Sequence, residues 1–184
     1  MAGIRAGRLA TGAGALCLTL AACGGGSGGP MSSEPAPCPR IAILADGAVL
    51  TRVRTPGTRD LAALAVDARI AGFDARCDFA ARERRALDVR ITPRFAAERG
   101  PAFEGRAVDL PWFVALSDAN DSAVLERVAL TTRLPFAANV PSATINGQTA
   151  RLTVPIAEGL RAADYLLRIS FQLTPEELAL NRAR

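Results

Sequence analysis

Apolar residues recur at every second position from residue 40 onward, turn signals punctuate them at regular intervals, and only one helical stretch follows, at the very end. These three observations predict an all-β chain, an antiparallel β-sandwich of about eight strands with a short C-terminal helix. Antiparallel pairing is favoured because no helices are present to make parallel crossovers.

The first strand signal is Ile41 to Ala45. Asp46-Gly47 reads as a tight turn into a second strand through Val49, Thr51 and Val53. Thr55-Pro56-Gly57-Thr58 reads as the next turn. A long strand then places Leu64, Val66, Ala68 and Ile70 on one face. After Gly72 the phase flips to Phe73, Ala75, Cys77 and Phe79, which predicts a β-bulge. Arg82-Glu83-Arg84-Arg85 reads as a solvated turn.

Leu87, Val89, Ile91 and Phe95 form the next apolar face. Val108, Leu110, Trp112, Val114 and Leu116 form another, with Phe113 opposite. Phe113 is a contact patch if it stays exposed, while Trp112 is expected in the core. Ser117 to Asp121 is a turn. Val124, Val128, Leu130, Leu134 and Phe136 follow in phase, interrupted by Glu126. That carboxylate is either a buried functional group or the partner of an arginine such as Arg127 or Arg133. Pro135 to Gly147 looks irregular. Ala150, Leu152, Val154 and Ile156 alternate, and Tyr165, Leu167, Ile169, Phe171 and Leu173 make the clearest strand. Thr174-Pro175-Glu176-Glu177 is a capping box with proline at the first helical position, predicting a helix to about Arg182.

The loop with Gly159 ahead of Tyr165 resembles the corner of immunoglobulin and fibronectin type III domains, where a tyrosine hydroxyl returns to upstream backbone. The expected fold is therefore a sandwich of that kind, although Cys38 and Cys77 lack the usual immunoglobulin cysteine spacing around a tryptophan.

The N-terminal segment reads differently. Arg5 and Arg8 precede a stretch from Leu9 to Ala22 that is apolar or small throughout, too short to span a bilayer. It ends in Leu20-Ala21-Ala22-Cys23, followed by Gly24-Gly25-Gly26, and looks like a bacterial lipobox. The expected organisation is a lipoprotein signal peptide over 1–22, a lipid-anchored tether over 23–37, the sandwich over 38–174 and the helix and tail over 175–184. Several acyl chains such as palmitate on Cys23, each methylene contributing about 0.8 kcal/mol, would act as a permanent membrane anchor. Gly24 after the anchor, with no Asp there, favours the outer membrane of a Gram-negative periplasm. Cys17 falls in the leader, which leaves Cys38 and Cys77 as an even pair in an oxidising compartment, expected to form a disulfide.

Composition excludes several activities. The chain has 22 Lys and Arg, all of them Arg, against 18 Asp and Glu. Without Arg5 and Arg8 the balance is 20 against 18, so no nucleic-acid partner is expected. Histidine is absent, which removes Ser-His-Asp and Cys-His catalysis, histidine acid-base chemistry and His-containing zinc sites. Asp118, Asn120 and Asp121, with Ser117, are candidates for an oxygen-ligand metal site, but a turn explains them equally and the EF-hand pattern is missing. No cofactor is expected.

Four stretches together resemble a group of uncharacterised lipid-anchored envelope proteins of Gram-negative bacteria. They are Cys38-Pro39-Arg40 with Ile43-Leu44-Ala45-Asp46, Arg99-Gly100-Pro101, Trp112-Phe113-Val114-Ala115, and Phe171-Gln172-Leu173-Thr174-Pro175-Glu176-Glu177-Leu178. The resemblance implies location and domain type, and no activity. The expected function is a non-enzymatic accessory subunit, anchored through acylated Cys23, that binds an envelope protein, an exposed strand edge being one route. The alternatives are a binding module for a small apolar ligand or lipid and a carboxylate-dependent hydrolase of cell-wall or saccharide material.

Overall fold

A computed structural model describes residues 36–55, 60–80 and 85–183. The leader, Cys23, and the expected turns at 56–58 and 82–84 lie outside the described residues. Among the described residues the fold is mostly β, with nine strands in two sheets and one short helix. The strands are β1 (Arg40–Ile43), β2 (Val49–Val53), β3 (Leu64–Phe79), β4 (Ala86–Arg99), β5 (Ala107–Ser117), β6 (Val124–Pro135), β7 (Ser142–Asn146), β8 (Ala150–Pro155) and β9 (Leu166–Phe171); α1 is Pro175–Arg182.

One sheet has the order β1-β9-β5-β6. The other runs β2-β3-β4, and β7 and β8 share the far edge of β4 end to end. The two sheets form a sandwich-like fold in which β6 lies beside the β7–β8 lane. Tyr165 supplies the expected corner: it is buried, and its hydroxyl accepts the backbone N–H of Ala157 at 3.2 Å. Tyr165→Phe would leave that N–H without its acceptor, and a loss of about 1–2 kcal/mol in chemical denaturation is expected.

The core lies between the sheets. Phe95 from β4 stands 5.8 Å from Trp112 of β5 and 5.5 Å from Phe171 of β9, ring centre to ring centre. The three are fully or almost fully buried, so aromatic surface from both sheets meets at the centre. The Trp112 indole N–H donates to Thr132 Oγ1 at 3.0 Å, which satisfies the polar end of a buried ring.

The phase flip in β3 is a bulge: Ile70 pairs with Phe95 and Gly72 with Arg94, so Ala71 is the extra residue. The buried set passes from Val66, Ala68 and Ile70 to Cys77 across it. Cys77 is bonded to Cys38, with Cα atoms 5.4 Å apart, and the bond ties the segment before β1 to the distal end of β3.

Three local expectations are corrected. Ile41 to Val53 is no hairpin: β1 pairs with β9 in one sheet and β2 with β3 in the other. Asp46-Gly47 sits in a short 3-10 turn that carries the chain between them. Gly47 packs so closely there that a Cβ would fall 1.8 Å from Ser170 Oγ. β1–β9 is also a parallel pair, possible because most of the chain separates the two strands and no short crossover is required. Ser142–Asn146, expected to be irregular, is strand β7. Finally, Val124 leaves the apolar phase, because a bulge opposite Leu116 and Ser117 makes Leu125 an extra residue.

Candidate functional site

The two sides of the sandwich differ. On one side the edge strand β2 is covered by α1. Thr174 and Glu177 form the capping box that starts this helix. From its last turn the Asn181 amide donates to the carbonyl oxygens of Asp46 and Val49, both at 2.8 Å. Arg52 pairs with Glu177 at 3.2 Å and donates to the Asp109 carbonyl at 3.0 Å, and Arg182 pairs with Asp46 at 2.8 Å. α1 thus packs along β2, and Asn181 engages the Val49 carbonyl at the start of that edge.

The opposite side is open. β6 pairs only with β5, and the β7–β8 lane pairs only with β4, among the described residues. β6 spans 12 residues, long enough for an extended segment to add alongside it. At its start Val124 is 62% exposed and Leu125 49%. Farther along, the outward side chains are polar or small: Arg127, Ala129, Thr131 and Arg133. Arg127 lies over the Phe113 ring, 4.2 Å from its centre, so the second aromatic of β5 is capped rather than offered as a patch.

A cavity of about 280 Å³ lies beside this open side. Glu126 of β6 lines it together with Asp88 and Arg90 of β4 and Arg151 and Thr153 of β8. The expected partners of Glu126 are occupied elsewhere: Arg133 pairs with Asp109 at 3.4 Å, and Arg127 donates to Gln172. Two carboxylates therefore share the cavity, but Asp88 Oδ1 accepts the Thr153 hydroxyl at 3.2 Å. Val89 and Leu152 complete the lining, so charged side chains outnumber apolar ones, a poor match to a lipid tail.

The acidic turn is built internally. Asp118 accepts the Ser122 N–H and hydroxyl, each at 2.6 Å, and the Ala123 N–H at 3.2 Å. Asp121, at φ +57°, turns its carboxylate to the guanidinium of Arg168 on β9. Asn120 is exposed. These carboxylates are thus aimed at different partners, and among the described residues no three His, Cys, Asp or Glu side chains come together.

The Ser122 hydroxyl, followed by the Ala123 N–H, holds the Asp118 carboxyl below the usual carboxylate range; for Asp121 the Arg168 hydrogen bond does so. A pKa depressed in the folded state adds stability above the unfolded value, about 3.9, and loses it as pH falls through the folded one. The melting temperature should therefore drop on acidification below about pH 4, and less steeply in Asp121→Asn than in the wild type. Thermal scans between neutral pH and pH 2 measure the difference.

Comparison with protein-family models, with curated proteins and with solved structures finds no match to this chain.

Proposed function

We propose that this chain is a non-enzymatic, lipid-anchored accessory protein of a Gram-negative envelope that holds an extended segment of a partner protein along the open edge of β6. The observation that carries the reading is the asymmetry of the sandwich: α1 covers β2, whereas β6 keeps a 12-residue edge with Val124 and Leu125 exposed at its start. Main-chain hydrogen bonds along the edge would supply affinity, and the two apolar side chains would supply selectivity. The anchor is Cys23, within a lipobox-like sequence followed by a Gly- and Ser-rich tract, and Gly24 beside it favours the outer membrane. The resemblance to lipid-anchored envelope proteins supports the same address. The alternative of an apolar-ligand module has less support, because the described cavity carries Asp88, Arg90, Glu126 and Arg151 on its walls.

The test is a pull-down from crosslinked native membranes with wild type, Cys23→Ser and Leu125→Asp. A defined partner captured by wild type and reduced about tenfold or more by Leu125→Asp is the expected result. Equal capture by wild type and Leu125→Asp would remove β6 from the account. A Cys23→Ser protein that still sediments with membranes would remove the lipid anchor.

A further inference from the structure

The outer face of the five-stranded sheet holds a like-charge row. Strand pairing sets Arg76 of β3 directly opposite Arg90 of β4, and Arg90 directly opposite Arg151 of β8. Like charges in directly opposed cross-strand positions repel, so the row by itself disfavours the fold. The neighbouring rows relieve it incompletely. On one side Asp78 stands opposite Asp88, and Asp88 opposite Thr153; on the other, Asp74 stands opposite Thr92, whose hydroxyl meets that of Thr149 at 2.8 Å. Asp78 pairs with Arg90 at 3.2 Å, and Asp88 is held by Thr153. Among the described residues, Arg76 and Arg151 meet no carboxylate within 4.0 Å.

Two members of this row, Arg90 and Arg151, line the cavity of about 280 Å³ with Thr153, and Glu126 lines it from β6. Guanidinium groups match the geometry of oxyanions and bind them through paired N–H donors. We propose that this cavity binds a phosphate group: Arg90 and Arg151 clamp its oxygens, the Thr153 hydroxyl lies beside them, and Arg76 adds the field of a third cation. The two carboxylates set the rest of the ligand. Glu126 and Asp88 repel an isolated multiply charged anion and favour a phosphate that carries an ammonium donor a few bonds away. The ligand class is therefore a small zwitterionic phosphate ester, free or as a lipid headgroup. This site adjoins the start of β6 through Glu126, but neither it nor its test rests on the partner reading.

The test is calorimetric titration of the full chain, purified in detergent, with O-phosphoethanolamine, inorganic phosphate and ethanolamine. Vesicles with and without phosphoethanolamine headgroups separate a membrane source from a free one. The expected result is saturable binding of O-phosphoethanolamine and none of ethanolamine. Arg151→Gln, on an exposed edge residue, should weaken the binding about tenfold or more. Arg133→Gln, on the other sheet, should leave it unchanged. Glu126→Gln should weaken O-phosphoethanolamine while strengthening inorganic phosphate, an inversion that unfolding or general charge screening would not produce. Absence of saturable binding to the wild type, or equal weakening by Arg133→Gln and Arg151→Gln, would overturn the proposal.

Discussion

Breaking the Cys38–Cys77 bond lowers the stability of the domain by about 3–4 kcal/mol, the entropy released by reopening a loop of this length. The two cysteines are 39 residues apart in sequence and belong to different layers. Cys38 precedes β1, which has four residues and, among the described residues, one partner strand, β9. Cys77 lies near the end of β3, paired with Val89. The bond thus fastens a short edge strand of one sheet to a central strand of the other. Without it β1 is held by its pairing with β9, by Ile41 and Ile43 against the core, and by Arg40 donating to the Ala163 and Asp164 carbonyls. The measurement is a thermal scan of the wild type with and without reductant, beside the Cys38→Ser, Cys77→Ser double variant. A fall of about 10 °C is expected in both reduced wild type and double variant. The double variant should not respond to reductant. A shift of 1–2 °C would mean that β1 is held without the bond.

Gly147→Val is expected to cost about 1–3 kcal/mol or more, although the residue is not in the centre of a strand. It joins β7 to β8, and its N–H donates to the Pro93 carbonyl at 2.8 Å. A Cβ at this position would lie 2.7 Å from Phe95 Cε2, 3.0 Å from Pro93 Cγ and 3.1 Å from Thr132 Oγ1. Phe95 is fully buried between Trp112 and Phe171, and Thr132 holds the Trp112 indole. Neither neighbour can retreat without disturbing the aromatic centre of the core. Denaturant melts of Gly147→Ala and Gly147→Val should show a graded loss. Gly105→Ala is a useful contrast: there the strain is one of backbone, at φ +104°, with nothing within 4 Å of the added carbon.

Much of this fold is legible from side-chain alternation, because each long strand has one face in the core. Leu87, Val89, Ile91 and Phe95 read correctly for that reason, as do Leu110, Trp112 and Val114. The bulge at Gly72 is legible because a glycine coincides with a phase change. The Tyr165 corner is legible because its chemistry is local: the residue and its partner Ala157 lie in one loop.

The features that depart from the sequence expectation are non-local. Asp46-Gly47 has the composition of a hairpin turn, but pairing of β1 with β9, more than a hundred residues away, decides which sheet β1 joins. β7 has a half-buried alternation of only Ala143 and Ile145, too brief to stand out between Pro141 and Gly147. Val124 keeps its apolar spacing in sequence, yet the bulge that turns it outward depends on the register with β5. The candidate site follows the same rule. The arginine row is invisible in sequence, since Arg76, Arg90 and Arg151 become neighbours only through strand pairing. The openness of β6 likewise depends on which strand takes the edge.

The most direct test of the central claim is site-specific photocrosslinking in native membranes. A photoreactive residue replaces Leu125 at the start of β6 in one strain and Leu61, which is 78% exposed and outside the strands, in another. One defined protein adduct is expected from position 125, none from position 61, and loss of the adduct when Cys23→Ser is added. Equal adducts from both positions, or none from position 125 in protein that is anchored and folded, would contradict the claim.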